Sequence, residues 1–584
     1  MLDEILLNIQ KPGRYIGNEW NVSRKDFNCS GIKFALCFPD LYEVGMSNLG
    51  IRIIYGLLNN MEDVCCERFF SPGDDLEKAL RSAKNDIFSL ESKRRLCDFD
   101  LIGFSLAHEL SFTNILNILN LGNIPLESSM RGTDFPLVIG GGPCMVNPEP
   151  MAAFFDMFLI GEAEEALLEL IDVYRKYRND FKTGLISKQE FLLKCSGIEG
   201  IYVPSLYEGA YDDSGNAVAL YPKAEGVPQS VKKRIIKNLD QSFFPSKWLV
   251  PYIQTVHDRI TLEVMRGCPN RCRFCQARQQ YFPFRQKSVA TLVNTALETY
   301  KLTGYEEMAL GGLSVSDYSG LQELLRTLIC EFKEKGVSVS LPSIKPADML
   351  GEASSLIATI KKTGLTFAPE AATDKLRRIL GKDFSEQDFF KVIEQAYSAG
   401  YQHVKLYFMI GIPQEEESDL AGIADFAAHV SELRRKYGRY PAKVNVSVNT
   451  LIPKPHTPFQ WFGMPDLELI KNKQDYLKAR VSRNRNIKLN FHNRFMSFVE
   501  GAFSRGDRRL SPVVLEAYNL GARFDSWEDN FNFERWMDAF KKHGVDPYFY
   551  LQDKRKLQFL PWDFLDIGVS RGLLRSEFNK IIDI

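Results

Sequence analysis

Arg266-Gly267-Cys268-Pro269-Asn270-Arg271-Cys272-Arg273-Phe274-Cys275 places three cysteines in one short loop, at spacings of four and then three. A core helix is a poor reading of it. Pro269 and Asn270 follow the first cysteine, and arginines stand at 266, 271, 273 and 278. Thiolates this close in sequence can wrap one small metal centre. Three are one short of the four that close a structural zinc site or an ordinary iron–sulfur cluster. Zinc would need a fourth ligand: His257 lies upstream at no standard zinc spacing, and Cys330 sits in a distant amphipathic helical pattern. A [4Fe–4S] cluster on the same three thiolates would keep one iron open to a ligand that reacts.

Outward from the loop, strand-like and helical runs alternate. A strand pattern at 259–264 feeds the cysteines, and others follow at 307–315, 337–344, 365–371, 403–413 and 443–453. Helical patterns such as Tyr318–Lys335 and Glu386–Ala399 fall between them. Repeated β–α units predict a parallel barrel with its site at the carboxyl ends of the strands. Those ends carry Gly311-Gly312 with Ser314, then Ala368-Pro369-Glu370-Ala371 followed by Arg377. Lys405 and Gly411-Ile412-Pro413-Gln414-Glu415 come next. Prolines 453, 455 and 458 stiffen a phrase around Lys454, His456 and Thr457, which reads equally as a substrate edge or a crossover.

With Phe274 directly before its last cysteine, the C-x3-C-x2-C loop resembles the signature of the radical S-adenosylmethionine (SAM) enzymes. The ordered strand-end motifs resemble the partial (β/α)6 barrel of those enzymes. The resemblance implies that Cys268, Cys272 and Cys275 hold a [4Fe–4S] cluster. Its open iron would chelate SAM and cleave it reductively to a 5′-deoxyadenosyl radical. It also implies SAM contacts at Phe274, Gly311, Gly312, Ser314, Glu370, Arg377, Lys405, Gly411 and Pro413. The glycine turn would receive the amino group, Glu370 and Arg377 the ribose or carboxylate, and the later motif the adenine.

Upstream, near-continuous apolar runs at 32–38, 101–106, 136–141 and 157–161 suit strands buried on both faces. Helix-length segments Ile51–Asn60, Leu76–Leu96 and Phe112–Leu119 lie between them. This alternation predicts a doubly wound α/β domain with ligands beyond its strand ends. Those ends carry Tyr42, Gly45 and Ser47, then Ser105, then Gly140-Gly141-Gly142-Pro143, then Gly161-Glu162-Ala163-Glu164. Any one glycine reads as a tight turn. Their order resembles the cobalamin-binding domain that precedes many radical SAM cores, which implies cobalamin contacts at Tyr42, Gly45, Ser47, Ser105, Gly140, Gly141, Gly142, Gly161 and Glu162. No D-x-H-x-x-G motif occurs, and His108 has other surroundings, so no histidine is expected on cobalt.

At 584 residues the chain exceeds one core. The expected order is a lead-in (1–29), a cobalamin-binding-like domain (30–180) and a connector of short strands and turns (181–245). A radical SAM core (246–485) and a mostly helical region (486–584) follow. In the last of these, Arg505, Arg508 and Arg509 beside Asp507 read as an ion-pair corner or as a grip on an anionic substrate. Lys plus Arg (73) nearly balances Asp plus Glu (74), so global charge argues neither for nor against nucleic acid. The 11 cysteines without a signal peptide read as reduced thiols of a cytoplasmic protein, and no run is long enough for a membrane span. None follows Cys330, so no second cluster is expected.

Nearly the whole chain resembles a bacterial family of uncharacterised radical SAM proteins with a cobalamin-binding domain and a methylthiotransferase/Elongator-like core. That resemblance implies a one-electron donor such as a flavodoxin or ferredoxin. It also implies radical modification of an unknown substrate, by cobalamin-dependent methylation. The alternatives are a cobalamin-independent modification of RNA and a non-catalytic metal protein that binds RNA.

Overall fold

A computed structural model of the chain describes residues 2–340, 365–382 and 384–584. Its first sheet is built from β1 (Ile32–Phe38), β2 (Val64–Phe70), β3 (Leu101–Ser105), β4 (Leu137–Gly141), β5 (Met157–Leu159) and β6 (Ile201–Tyr202). The spatial order is β2-β1-β3-β4-β5-β6, parallel except for β6. The order reverses direction between β1 and β3. A doubly wound sheet opens its ligand crevice at such a point, beyond the carboxyl ends of the strands. Helix Leu49–Asn59 covers one face and is started by Asn48, whose side chain accepts from the Ile51 N–H.

Three local expectations change. β2 is an added edge strand, concealed in the sequence by Glu67 and Arg68 at its centre, both buried. The pattern read as one helix over Leu76–Leu96 is helical only over Asp74–Ala83, stopped by left-handed Lys84 (φ 53°). The connector holds a helix, Lys188–Cys195, opened by a Ser187/Glu190 capping box, as well as its short strands.

The second series is β7 (Ile260–Glu263), β8 (Glu307–Gly311) and β9 (Ser338–Ser340), then β10 (Leu365–Glu370), β11 (His403–Ile410), β12 (Lys443–Thr450) and β13 (Ile487–Phe491). The described residues form two parallel sheets, β7-β8-β9 and β10-β11-β12-β13. Helices alternate with these strands, as the β–α reading requires. Residues 341–344 of the run read at 337–344 lie outside the described residues. β13 stands where the helical C-terminal region was expected to begin, and extends the barrel sheet by one strand.

The C-terminal helices are not a separate body. Met496, Phe503, Val513, Trp536 and Leu551 share one continuous apolar core with the first sheet. Helix Arg571–Ile582 instead packs over the mouth of the barrel, with Phe578 and Ile581 against Trp461 and Leu380. Arg505 is fully buried and donates to the carbonyls of Pro453 (2.8 Å), Tyr550 (2.9 Å) and Gln552 (3.0 Å). Arg508 pairs with Glu149 (2.8 Å) and Arg509 with Asp507 (2.6 Å). The arginine group is an ion-pair corner joining C-terminal helices to both sheets.

Candidate functional site

The cysteine loop leaves the carboxyl end of β7 and is held from several sides. Gly267 has φ +80°, and a side chain there would meet the Tyr281 and Pro283 carbonyls at 2.8 Å. Arg273 receives no freedom either: its N–H donates to Leu380 O (2.8 Å), and its guanidinium pairs with Glu577 (2.8 Å). Phe274 seats in the apolar group around Trp461 and Phe578. The three thiols are partly buried. Asn270 Nδ2 donates to Cys268 Sγ (3.2 Å), and the backbone N–H groups of Ala277 and Arg278 face Cys275.

Burial pushes the Cys272 thiol up to about 11, with Lys382 pulling it back, and raises Cys275 as well.

Around the loop, Ser314 accepts from Asn270 (3.2 Å) and donates to Asp317 (2.6 Å), beside Cys268. Gly311 ends β8 and Gly312 follows it; side chains there would strike Thr261 (2.9 Å) and Met265 (2.7 Å). Glu370 ends β10 in the left-handed region (φ 65°), at a register shift. Burial pushes its carboxyl up to about 7; Lys382, 3.9 Å away, opposes the shift.

Other expected SAM contacts are placed differently. Arg377 is buried and committed to the Ala372 carbonyl (2.7 Å), Asp374 and Glu386 (3.2 Å), so it holds its own helix end rather than a ligand carboxylate. Gly411 (φ +81°) donates its N–H to Glu415 (2.9 Å), and Glu415 pairs with Lys473. Gly411 through Glu415, with Pro413 within it, is thus a braced turn. Lys405 is the third residue of β11, five residues or ~16 Å along the strand from its carboxyl end. That distance removes it from the cluster end.

Between the first sheet and the barrel mouth lies a cavity of about 460 Å³. Phe34, Leu36, Ile139 and Leu159 give it an apolar floor, and Ser105, Gly140, Gly141, Gly142, Gly161 and Glu162 line its sheet side. Gly267, Gly311 and Gly312 line it from the barrel, so it opens beside the cysteine loop. Gly142 (φ +109°) and Gly161 (φ +106°) also have a packing reason. Side chains there would meet Leu106 O at 2.6 Å and Arg234 O at 2.3 Å. At Gly141 nothing lies closer than 3.6 Å.

Tyr42, Gly45 and Ser47 do not line this cavity. Tyr42 donates to Glu19 (2.9 Å), a side chain at Gly45 would strike Phe70, and Ser47 accepts from the His257 N–H (2.9 Å). Sequence reasoning missed the ion network that joins the two bodies here. Glu162 pairs with Arg285 (2.6 Å), and Arg266 pairs with Glu263 (2.8 Å) and Glu164. Its signal was present, since Glu162 and Glu164 flank one strand end and Arg266 precedes the cysteines.

Residues 50–204 match the family model described as radical SAM proteins, N-terminal, and residues 262–427 match the radical SAM superfamily. An uncharacterised protein of Methanocaldococcus jannaschii is 27% identical over 522 residues, covering 88% of this chain and 97% of its own length. The ribosomal protein uS12 methylthiotransferase RimO of Desulfotalea psychrophila is 24% identical over 285 residues, 46% of this chain and 60% of its own. Among solved structures, the radical SAM methyltransferase TsrM of Kitasatospora setae aligns at TM-score 0.48 and 14% identity, covering 88% of this chain and 99% of its own. The cobalamin-dependent SAM radical enzyme OxsB aligns at TM-score 0.47 and 12% identity, covering 94% and 79%. The matched N-terminal region and the matched barrel, with the cysteine loop inside the latter, place the chain in the radical SAM superfamily.

Proposed function

We propose that the protein is a radical SAM enzyme in which Cys268, Cys272 and Cys275 hold a [4Fe–4S] cluster and the adjoining cavity takes cobalamin. The observation that carries the reading is the sulfur set: three partly buried thiols on one braced loop that opens on a cavity between two α/β bodies. Bound there, the reduced cluster would supply the electron that splits SAM into methionine and a 5′-deoxyadenosyl radical, and cobalamin would supply a transferable methyl group.

The chain's own residues prepare the site. Asn270 donates to the Cys268 sulfur, and the backbone N–H groups of Ala277 and Arg278 oppose the burial that raises the Cys275 thiol. Arg273 and Phe274 fix the loop and keep water from its outer side. Glu370 offers a carboxylate to ligand hydroxyls, and the carbonyls of Gly311 and Gly312 accept from an ammonium. Cobalamin is supported by the apolar floor and by Gly141, where no protein atom excludes a side chain. No histidine stands among the described lining residues.

Reconstituted, dithionite-reduced protein is expected to convert SAM to 5′-deoxyadenosine, and Cys272→Ala to abolish it. An unchanged yield in that variant, or about one zinc per chain without labile sulfide, sinks the reading. The partial match to a methylthiotransferase keeps one second reading in view, a modification that uses no cobalamin. Titration with hydroxocobalamin, followed by its visible spectrum, separates the two.

A further inference from the structure

The sheet β10-β11-β12-β13 has two unlike faces. One is apolar: Val404, Leu406, Phe408, Val444, Val446 and Val448 are buried under the helices. Side chains alternate along a strand, so the residues between these occupy the other face, toward the barrel interior. Register puts Thr366, Lys405, Asn445 and Lys488 side by side in one row across the four strands. Tyr407, Ser447 and Asn490 form the next row toward the cluster. Asn445, Lys488 and Asn490 are exposed, and Lys405, Tyr407 and Ser447 are half-buried.

A barrel of parallel strands normally fills its interior with layers of bulky apolar side chains. Here the corresponding positions hold amides, hydroxyls and ammonium groups. None of the six makes a side-chain hydrogen bond or ion pair to another described residue; Lys405 only overhangs the Tyr407 ring at 4.7 Å. One row outward, His403 and Lys443 stand opposite each other at the start of β11 and β12, both exposed. The face therefore carries three lysines, Lys405, Lys443 and Lys488, and no carboxylate until Glu370 at the far end of the sheet. Such a surface is solvated, cationic and rich in unused donors.

We propose that this interior face is the substrate site, and that Lys405 and Lys488 hold an anionic group, phosphate or carboxylate, on the substrate. Five residues of strand separate Lys405 from the cluster end of β11, so the held group lies ~16 Å from the reacting position. The substrate is then elongated, its reactive carbon near the cluster and its charge deep in the barrel. Lysine suits this task as a point charge that accepts either anion. The inference rests on the radical SAM reading only for calling the occupant a substrate.

Reductive methylation with formaldehyde and dimethylamine-borane, read by peptide mass spectrometry on the whole protein, tests it without catalysis. Lys405 and Lys488 are expected to be modified in free protein. Added pyrophosphate or citrate is expected to slow them at least about fivefold relative to Lys78, on the remote helix Asp74–Ala83. Protection by pyrophosphate alone assigns a phosphate, and by citrate alone a carboxylate. Lysines that resist modification in free protein, or that neither anion protects, overturn the proposal. Lys405→Gln and Lys488→Gln keep the fold's apolar face intact, and in the double variant protection of Lys443 should be lost. SAM cleavage by dithionite-reduced protein is measured in parallel, so loss of the cluster chemistry and loss of the anion site give separate readings.

Discussion

Asp525 lies 1% exposed between the C-terminal helices and the first sheet, accepting from Thr113 Oγ1 (2.9 Å) and Trp536 Nε1 (3.2 Å). Burial pushes its carboxyl up to about 6, against the pull of those two donors and of Arg535 and Arg523. Because the folded form holds its proton more tightly than the unfolded form, this group's contribution to stability falls as pH rises from about 4 to about 6 and stays lowered above that. In Asp525→Asn the amide can accept from Trp536 and donate to the Thr113 hydroxyl, and no charge must be buried. The unfolding midpoint of the variant should rise relative to the parent between pH 4 and pH 7. Parallel midpoint curves across that range would show that Asp525 does not titrate as argued. At the same scale, the three cysteines were legible because their spacing is itself the chemistry. Arg377 was not, because a buried arginine paired with its own helix looks identical in sequence to one awaiting a ligand.

At the scale of elements, apolar content decided what could be read. β1, β3, β4 and β5 announce themselves as nearly continuous apolar runs, whereas β2 carries Glu67-Arg68 and shows itself only once Glu19 and Glu91 are seen around Arg68. The glycines after β4 and β5 were legible as special, but their full reason was not. Gly142 and Gly161 admit crossing backbone from Leu106 and Arg234, contacts distant in sequence. The clamp between Gly161-Glu162-Ala163-Glu164 and the strand pair Met265–Arg266 with Arg285–Gln286 was legible in its separate charges, but their pairing joins residues distant in sequence. Arg285 and Glu162 are each 10% exposed and joined by two bonds of 2.6 and 2.8 Å. Losing Arg285 leaves Glu162 only Arg266 at 3.6 Å and the Ile236 N–H (2.6 Å), at a cost of about 3 kcal/mol. Arg285→Met should therefore loosen the cavity wall first. Hydrogen exchange should quicken at 161–164 and 265–267 and stay unchanged in β11 and β12; uniform protection in the variant would deny the clamp its role.

For the whole molecule, the order of parts along the chain differs from their grouping in space. The composition of 486–584 reads as a helical extension, yet Val499, Phe503, Val513, Trp536 and Leu565 are buried in the same apolar core as β1 and β3. Arg508 reaches Glu149, and Asn147 donates to the carbonyls of Ser504 (3.0 Å) and Gly506 (2.9 Å). Removing the region would expose apolar surface across the first sheet's helices, take Arg508 from Glu149 and leave the Asn147 amide without its two acceptors. A unit that shares its core with another does not fold apart from it. A chain ending at residue 492, after β13, should then fail to give a folded first sheet, although every strand of that sheet is present. In the full-length protein, probes reporting on the first sheet and on the C-terminal helices should lose structure together in one thermal transition. Separate transitions, or a truncated chain whose first sheet keeps cooperative unfolding, would mean that the C-terminal helices only rest on that core and that the folding units follow the sequence order after all.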